Sequence, residues 1–341
     1  MKKLVAIVLT LFVVALQCAT AQTIVVDQSG KGNFKTITEA LKSLPDSSKT
    51  DRTILIKKGV YHEKVFVTQS HVILKGEDAK NTVITQAIAR DIFHWETGNN
   101  DDWGVATINL RGSDITLRNL TIINSYGFDH KTDTTFNCTT NGQTSQHVVH
   151  PIGHQMTLRS FDGATRLKVI DCQILGRGND TVSPWNGDNG MFYFKNCVME
   201  GAVDMYCPKG WAYAEGCKFV CHSMNAGIWH NGAGNQSQKS VLVNCTFVGD
   251  DGFKLGRYHV DSQFYLINCN FAKNMADAAI YKAPSGPGAK YGQRTYYYNC
   301  HHDGGDFAWL KNNLNEASGA PQAKQITAEW AMDGKWNPSA K

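Results

Sequence analysis

The sequence predicts an all-β fold, a single-stranded parallel β-helix with a short helix capping its N-terminal end. Three observations carry that prediction. Short runs rich in β-branched and aromatic residues recur along the chain, separated by Gly, Asn, Asp and Ser. One phrase, Asx or Gly followed by Cys, returns at Asp171-Cys172, Asn196-Cys197, Gly216-Cys217, Asn244-Cys245, Asn268-Cys269 and Asn299-Cys300. Its intervals of 25, 20, 28, 24 and 31 residues have the imperfect period of a solenoid whose coils pack only on their neighbours. The 341 residues are also only 19% charged and include 31 glycines, which suits stacked strands and tight corners more than two compact domains.

At the N-terminus, Lys2 and Lys3 precede an uncharged run from Leu4 to Leu16. That run is too short to span a bilayer, which takes ~20 apolar residues, and Ala19-Thr20-Ala21 has the small-x-small form of a cleavage site. The expected organisation is a signal peptide over 1–21, cleaved after Ala21, and one β-helix domain over 22–341. The location expected is secreted or periplasmic, with no membrane span. Next comes the helix. Thr36 and Glu39 can form a capping box, and Ile37, Ala40, Leu41 and Leu44 follow at helical spacing before Pro45. Such a helix would cover strand edges and apolar surface at the open end of the solenoid.

Strands are expected over Thr53–Ile56, Val72–Leu74, Ala106–Leu110, Ile115–Leu117 and Leu120–Ile123. The polar stretch 99–103 and the longer 127–153, which holds His130, His147 and His150, read as loops walling a groove. With Cys18 gone, nine cysteines remain. Those of the repeated phrase read as small buried residues stacked coil on coil, not as a disulfide framework. Cys217 and Cys221 lack a second ligand pair at zinc-like spacing, and His301-His302 reads as a surface turn. No metal or organic cofactor is expected. The tail from about Asn312, which holds Trp330 and Trp336, should fold back along the solenoid.

Net charge is +4, and removal of Lys2 and Lys3 leaves 32 basic against 30 acidic residues. That excess is too small to suggest a nucleic-acid partner. An anionic substrate stays open, because local charge decides. Asp180 and Asp204 stand 8 and 7 residues after Cys172 and Cys197. Equivalent points of adjacent coils lie about 4.8 Å apart, so the two should sit side by side. Burial and like charge push such carboxylates to different pKa values, one an ionised nucleophile and the other a general acid. Arg257 could orient the ionised one. On spacing alone, each aspartate could equally just close a turn.

Several phrases together resemble the pectin methylesterase (pectinesterase) family, over about residues 24–338. Gly59-Val60-Tyr61-His62-Glu63 is similar to that family's Gly-x-Tyr-x-Glu. Leu74-Lys75-Gly76-Glu77 and Asn119-Leu120-Thr121-Ile122-Ile123-Asn124 follow. Asn179-Asp180-Thr181 takes the place of Gln-Asp-Thr, Gly201-Ala202-Val203-Asp204 of Gly-Thr-Val-Asp, and Leu255-Gly256-Arg257 of the start of Leu-Gly-Arg-Pro-Trp. The resemblance implies a right-handed parallel β-helix of the pectin-lyase-like kind, monomeric and without a cofactor, that removes methyl esters from homogalacturonan. It implies Asp204 as nucleophile, Asp180 as acid and then base, and Arg257 as the residue holding Asp204. Asn179 replaces a glutamine that helps bind the oxyanion. A second such glutamine falls near His154-Gln155, with Gln155 the residue chosen. Tyr258-His259 stand where the family has Pro-Trp, which leaves Tyr258 as the available sugar-stacking aromatic.

Two other readings compete. Asp250-Asp251 offers the paired carboxylates of a polygalacturonase-like hydrolase, without that family's Gly-His-Gly or Arg-x-Lys. Alternatively, Trp185, Trp211, Trp229, Tyr258 and Tyr265 could be sugar platforms on a non-catalytic solenoid.

Overall fold

A computed structural model describes residues 23–340 apart from positions 99, 141, 162 and 293. The expected signal peptide lies outside the described residues. Ten strands form one parallel sheet, from Ile24–Val26 to Arg294–Tyr298, and nine form a second, from Gly59–Tyr61 to His301–His302. The third face is shorter. Four strands, ending at Val182–Pro184, are joined through single bridges at Tyr206 to three more: Ile228–Trp229, Gly256–Tyr258 and Tyr281–Lys282. Pairing is parallel in all three faces, between strands one coil apart. The chain is therefore a parallel β-helix.

Strand alternation sorts the side chains. Facing inward on the first sheet is one continuous row: Ile54, Leu74, Leu117, Val169, Phe194, Ala214, Leu242, Leu266 and Tyr297. On the second sheet the row runs Ile174, Met199, Phe219, Phe247, Phe271, His302. Phe219 and Phe247 stack at 4.7 Å between centroids. Because its position continues this row, His302 is buried against Phe307, and His301-His302 is a strand and not the surface turn expected.

The Asx–Cys phrase marks the corner between the first two sheets. Asp171, Asn196, Gly216, Asn244, Asn268 and Asn299 all have φ between 48° and 61°, the left-handed region that Gly, Asn and Asp enter at least cost. Each reversal turns the next residue, the cysteine, into the core, where all six are buried. Outside, amides pair from coil to coil: Asn268 Nδ2 donates to Asn244 Oδ1 at 3.1 Å, and Asn299 Nδ2 to Asn268 Oδ1 at 2.9 Å.

The N-terminal helix, Ile37–Lys42, buries Ile37, Ala40 and Leu41 against the first coil. Only half of the expected capping box forms. Thr36 Oγ1 accepts from the Glu39 N–H, but the carboxylate at the helix start is Glu63, which takes the N–H groups of Ile37 and Thr38 at 2.9 Å each. The stretch expected as a loop over 127–153 contains an antiparallel hairpin, Thr134–Thr140 with Gln143–Val149. It packs on a helix that periodicity did not reveal, Arg90–Thr97, with His147 stacked on Trp95 at 3.8 Å. The tail folds back over the outer face of the first sheet. There Leu314, Ile326, Ala331 and Met332 join Tyr193, Trp211, Tyr213 and Tyr265 in a second apolar cluster. Trp211 and Tyr265 are sealed under it and cannot serve as sugar platforms.

Candidate active site

Asp180 and Asp204 occupy equivalent points of successive coils, each two residues before the bridged pair Val182 and Tyr206. Backbone bonds tie them into the ladder: the Asp180 N–H donates to Val203 O, and the Asp204 N–H to Ala226 O. Both are left-handed, with φ of 58° and 53°, a conformation that aims the side chain off the regular strand alternation. Two glycines allow coils to meet this closely. A Cβ on Gly201 would lie 2.2 Å from Thr181 Oγ1, and one on Gly178 would lie 2.3 Å from the Gly153 carbonyl oxygen.

Both carboxylates line one cleft of about 360 Å³ on the third face, together with His154, Trp185, Lys209, Trp229, Arg257 and His259. Arg257 stands on the strand two coils beyond Asp204 and reaches back to it with a forked pair. Its Nη2 donates to Asp204 Oδ2 at 2.7 Å and its Nε to Oδ1 at 3.0 Å. Burial pushes the Asp204 carboxyl above the ordinary value, and the hydrogen bonds and charge of Arg257 pull the other way. Asp180 has no such partner, and its carboxyl makes no side-chain hydrogen bond among the described residues. Burial first, and the neighbouring Asp204 charge against the opposing pull of His154, bring it to about 6. The two carboxyls therefore differ in kind. One is clamped by a guanidinium, and the other is set to hold a proton near neutrality.

The remaining expected residues divide. His259 is in the cleft, where its Nδ1 accepts from Trp229 Nε1 at 2.8 Å. Asn179 lies beside Asp180, with its side-chain oxygen taken by the Val203 N–H at 3.0 Å, which leaves Nδ2 as its donor. Gln155 is not in the cleft. It is fully buried, accepting from the Gly127 N–H and donating to Pro151 O. Its neighbour His154, bridged to Asn179, takes the exposed position. Tyr258 is a core residue at 5% exposure, because Arg257 before it and His259 after it face outward. It cannot stack on a sugar.

Sequence reasoning missed Lys209 and Arg159. Lys209 Nζ sits 3.2 Å and the Arg159 guanidinium 3.4 Å from the centre of the Trp185 ring, so cations pack on that indole. Neither falls in a phrase, and only the stacking of coils brings them together. Asp250 and Asp251 do not line the cleft. They bind His222 Nδ1 and Asn274 Nδ2, which removes the structural basis of the polygalacturonase-like reading. Among the described residues, no three His, Cys, Asp or Glu are gathered to hold a metal ion.

Residues 23–182 match the family model described as Pectinesterase. The Arabidopsis thaliana protein named "Putative pectinesterase 11" is 30% identical over 246 residues, 70% of this chain and 59% of that protein. Pectinesterase A of Dickeya chrysanthemi is 37% identical over 117 residues, 33% of this chain and 31% of its own. The chain thus spans less than two thirds of the length of these relatives. Among solved structures, the pectin methylesterase of Erwinia chrysanthemi superposes with a TM-score of 0.71 at 21% identity, over 94% of this chain and 99% of that one. A pectin methylesterase in complex with a hexasaccharide superposes with a TM-score of 0.72 at 22% identity, over 95% of this chain and 100% of that one. The sequence matches are to pectinesterases, and the superposed structures show the parallel β-helix fold.

Proposed function

We propose that this protein hydrolyses the methyl esters of homogalacturonan, releasing methanol and leaving pectate. The observation that carries this reading is the unequal carboxylate pair, with Asp204 held by Arg257 and Asp180 poised at about 6. An Asp204 oxygen attacks the ester carbonyl carbon. The tetrahedral oxyanion meets Asn179 Nδ2 and the His154 ring, which stand on adjacent coils. As the C–O bond to the methoxy group breaks, Asp180 gives its proton to the departing methanol, leaving a mixed anhydride on Asp204. Asp180, now ionised, takes a proton from water. The hydroxide attacks the sugar carbonyl carbon, and its collapse frees the uronic acid and restores the Asp204 carboxylate. Arg257 keeps Asp204 charged and aimed throughout.

The reading extends to place. The sequence over 1–21 acts as a leader cleaved after Ala21, so the enzyme is exported to meet its polymer. No helix among the described residues is long and apolar enough to cross a membrane. N-terminal sequencing of exported protein should begin at Gln22.

The decisive experiment measures methanol and reducing ends from methyl-esterified homogalacturonan. Wild type should release methanol without new reducing ends, and Asp204→Asn should lose at least about 10³-fold in kcat. Reducing ends without methanol, or undiminished activity in Asp204→Asn, defeats the proposal.

A further inference from the structure

Beside the catalytic cleft, one carboxylate gathers three stretches of chain. Arg90 and His94 stand one turn apart on the helix Arg90–Thr97 and share a face. Arg90 Nε donates to Asp102 Oδ1 at 2.7 Å, and His94 Nε2 lies 3.0 Å from the same oxygen. From the third face of the solenoid, Arg159 Nη2 donates to Asp102 Oδ2 at 3.0 Å. Arg159 is buried, and its Nε and Nη1 have no hydrogen-bond acceptor among the described residues, so its guanidinium depends on Asp102. Burial pushes the Asp102 carboxyl up, but Arg90, Arg159 and His94 outweigh it and hold that carboxyl ionised, below the ordinary value.

Both arginines lead from Asp102 to the cleft. The Arg90 N–H donates to the His154 carbonyl oxygen at 3.0 Å. The Arg159 guanidinium packs on the Trp185 ring, whose Nε1 donates to Cys207 O at 2.9 Å. His154 and Trp185 line the cleft with Asp180, whereas Asp102 lines the adjoining pocket with Arg111 and Lys209. The two guanidiniums also act on Asp180 by charge. That carboxyl feels Asp204, His154, Arg159, Arg90 and Arg257, and Lys209 and His259 complete the charged lining of the cleft. Arg90 and Arg159 favour its ionised form, which has no proton to give to a leaving group.

We propose that Asp102 is a positioning residue for Asp180: it anchors the two arginines that lead to His154 and Trp185, and it offsets the charge those arginines turn on the acid. Without that carboxylate, two cations face Asp180 uncompensated, because a guanidinium keeps its proton at any pH the fold survives. The role of Asp180 as acid rests on the ester-hydrolase reading, and the contacts of Asp102 do not.

The test follows kcat/KM for methanol release against pH, whose basic limb falls as Asp180 loses its proton. Asp102→Asn should move that limb down by about 0.5–1 pH unit, and should move the acidic limb, which belongs to Asp204 and Arg257, less. Asp102→Glu keeps the charge and should return the basic limb to its wild-type position. Arg90→Met keeps the backbone N–H that holds His154 but removes one cation, so it should move the basic limb up. Damage to the fold does not shift a limb in opposite directions in two variants, so Arg90→Met serves as the check if Asp102→Asn is poorly folded. Titration of the Asp180 carboxyl by carbon-13 NMR, assigned by its absence from Asp180→Asn, should show the same two shifts without turnover. A limb and a titration unmoved in Asp102→Asn, or moved the same way in both variants, overturn the proposal. A wild type that releases no methanol defeats the ester-hydrolase reading, and the NMR titration then still decides the part played by Asp102.

Discussion

Asn244 and Asn268 at the sheet corner, and Asp180 and Asp204 in the cleft, share a backbone. All four are left-handed, with φ of 53°, 53°, 58° and 53°, and each pair occupies equivalent points of adjacent coils. At the corner the side chains answer one another, amide to amide, so the reversal is locally satisfied. In the cleft, two carboxyls stand in the same relation and cannot answer one another. One takes its partner from two coils away, in Arg257, and the other, without such a partner, has its pKa raised to about 6. The same turn closes its polar atoms among themselves at the corner, and in the cleft leaves two carboxyls to unequal surroundings.

Changing the carboxyl that lacks a partner should have the largest effect. Asp180→Asn should lower kcat by about 10³-fold, since the variant amide can neither give nor take the proton. It should also stabilise the fold at neutral pH. A folded pKa of about 6 lies above the ordinary ~3.9, so the folded chain binds the proton more tightly than the unfolded one. That contribution is full below about pH 4 and is lost as pH rises through 6. At pH 7 the amide should therefore be about 3 kcal/mol more stable than wild type, and at pH 4 nearly the same. Denaturation at the two pH values checks this, and equal differences at both would show that Asp180 is not proton-poised.

Arg257→Ala comes next. It leaves Asp204 buried without its cation, so the Asp204 pKa rises and the acidic limb of kcat/KM should move up by about 1–3 pH units. An unmoved limb would mean that Arg257 is not what keeps Asp204 charged. The smallest effect belongs to the corner. Asn268→Ala should cost about 1–2 kcal/mol, because alanine bears the left-handed strain. Asn268→Gly should cost less than about 1 kcal/mol, because only the amide contacts are lost. Equal losses, read by chemical denaturation, would put the weight on side-chain pairing and not on the backbone.

Much of this was legible in the sequence. The Asx–Cys phrase announced both the coil and the inward-facing sulfurs, because a left-handed corner admits few residue types and a core position after it favours a small one. Counting from those cysteines brought Asp180 and Asp204 together. Single-residue alternation was harder to read. Gln155 and His154 differ by one position and therefore by face, as do Tyr258 and its two neighbours, and a phrase without a fixed register cannot say which side wins. The Lys209–Trp185–Arg159 stack was beyond reach, since it joins residues from different coils with no shared pattern. The helix Arg90–Thr97 packs only Ile92, Phe93 and Trp95, all partly buried, and two turns are too short for that pattern to stand out from a strand or loop.

The placement of the two aspartates on neighbouring coils has a consequence for how such a site can change. Their separation follows from the spacing of hydrogen-bonded backbones, ~4.8 Å, and owes nothing to the number of residues between them. Residues can be inserted or lost in the 186–190 turn, provided the coil still closes on its neighbour, and the two carboxylates keep their distance. The walls of the cleft are free to lengthen, shorten or change partner while the spacing of the carboxylates stays as the peptide group sets it.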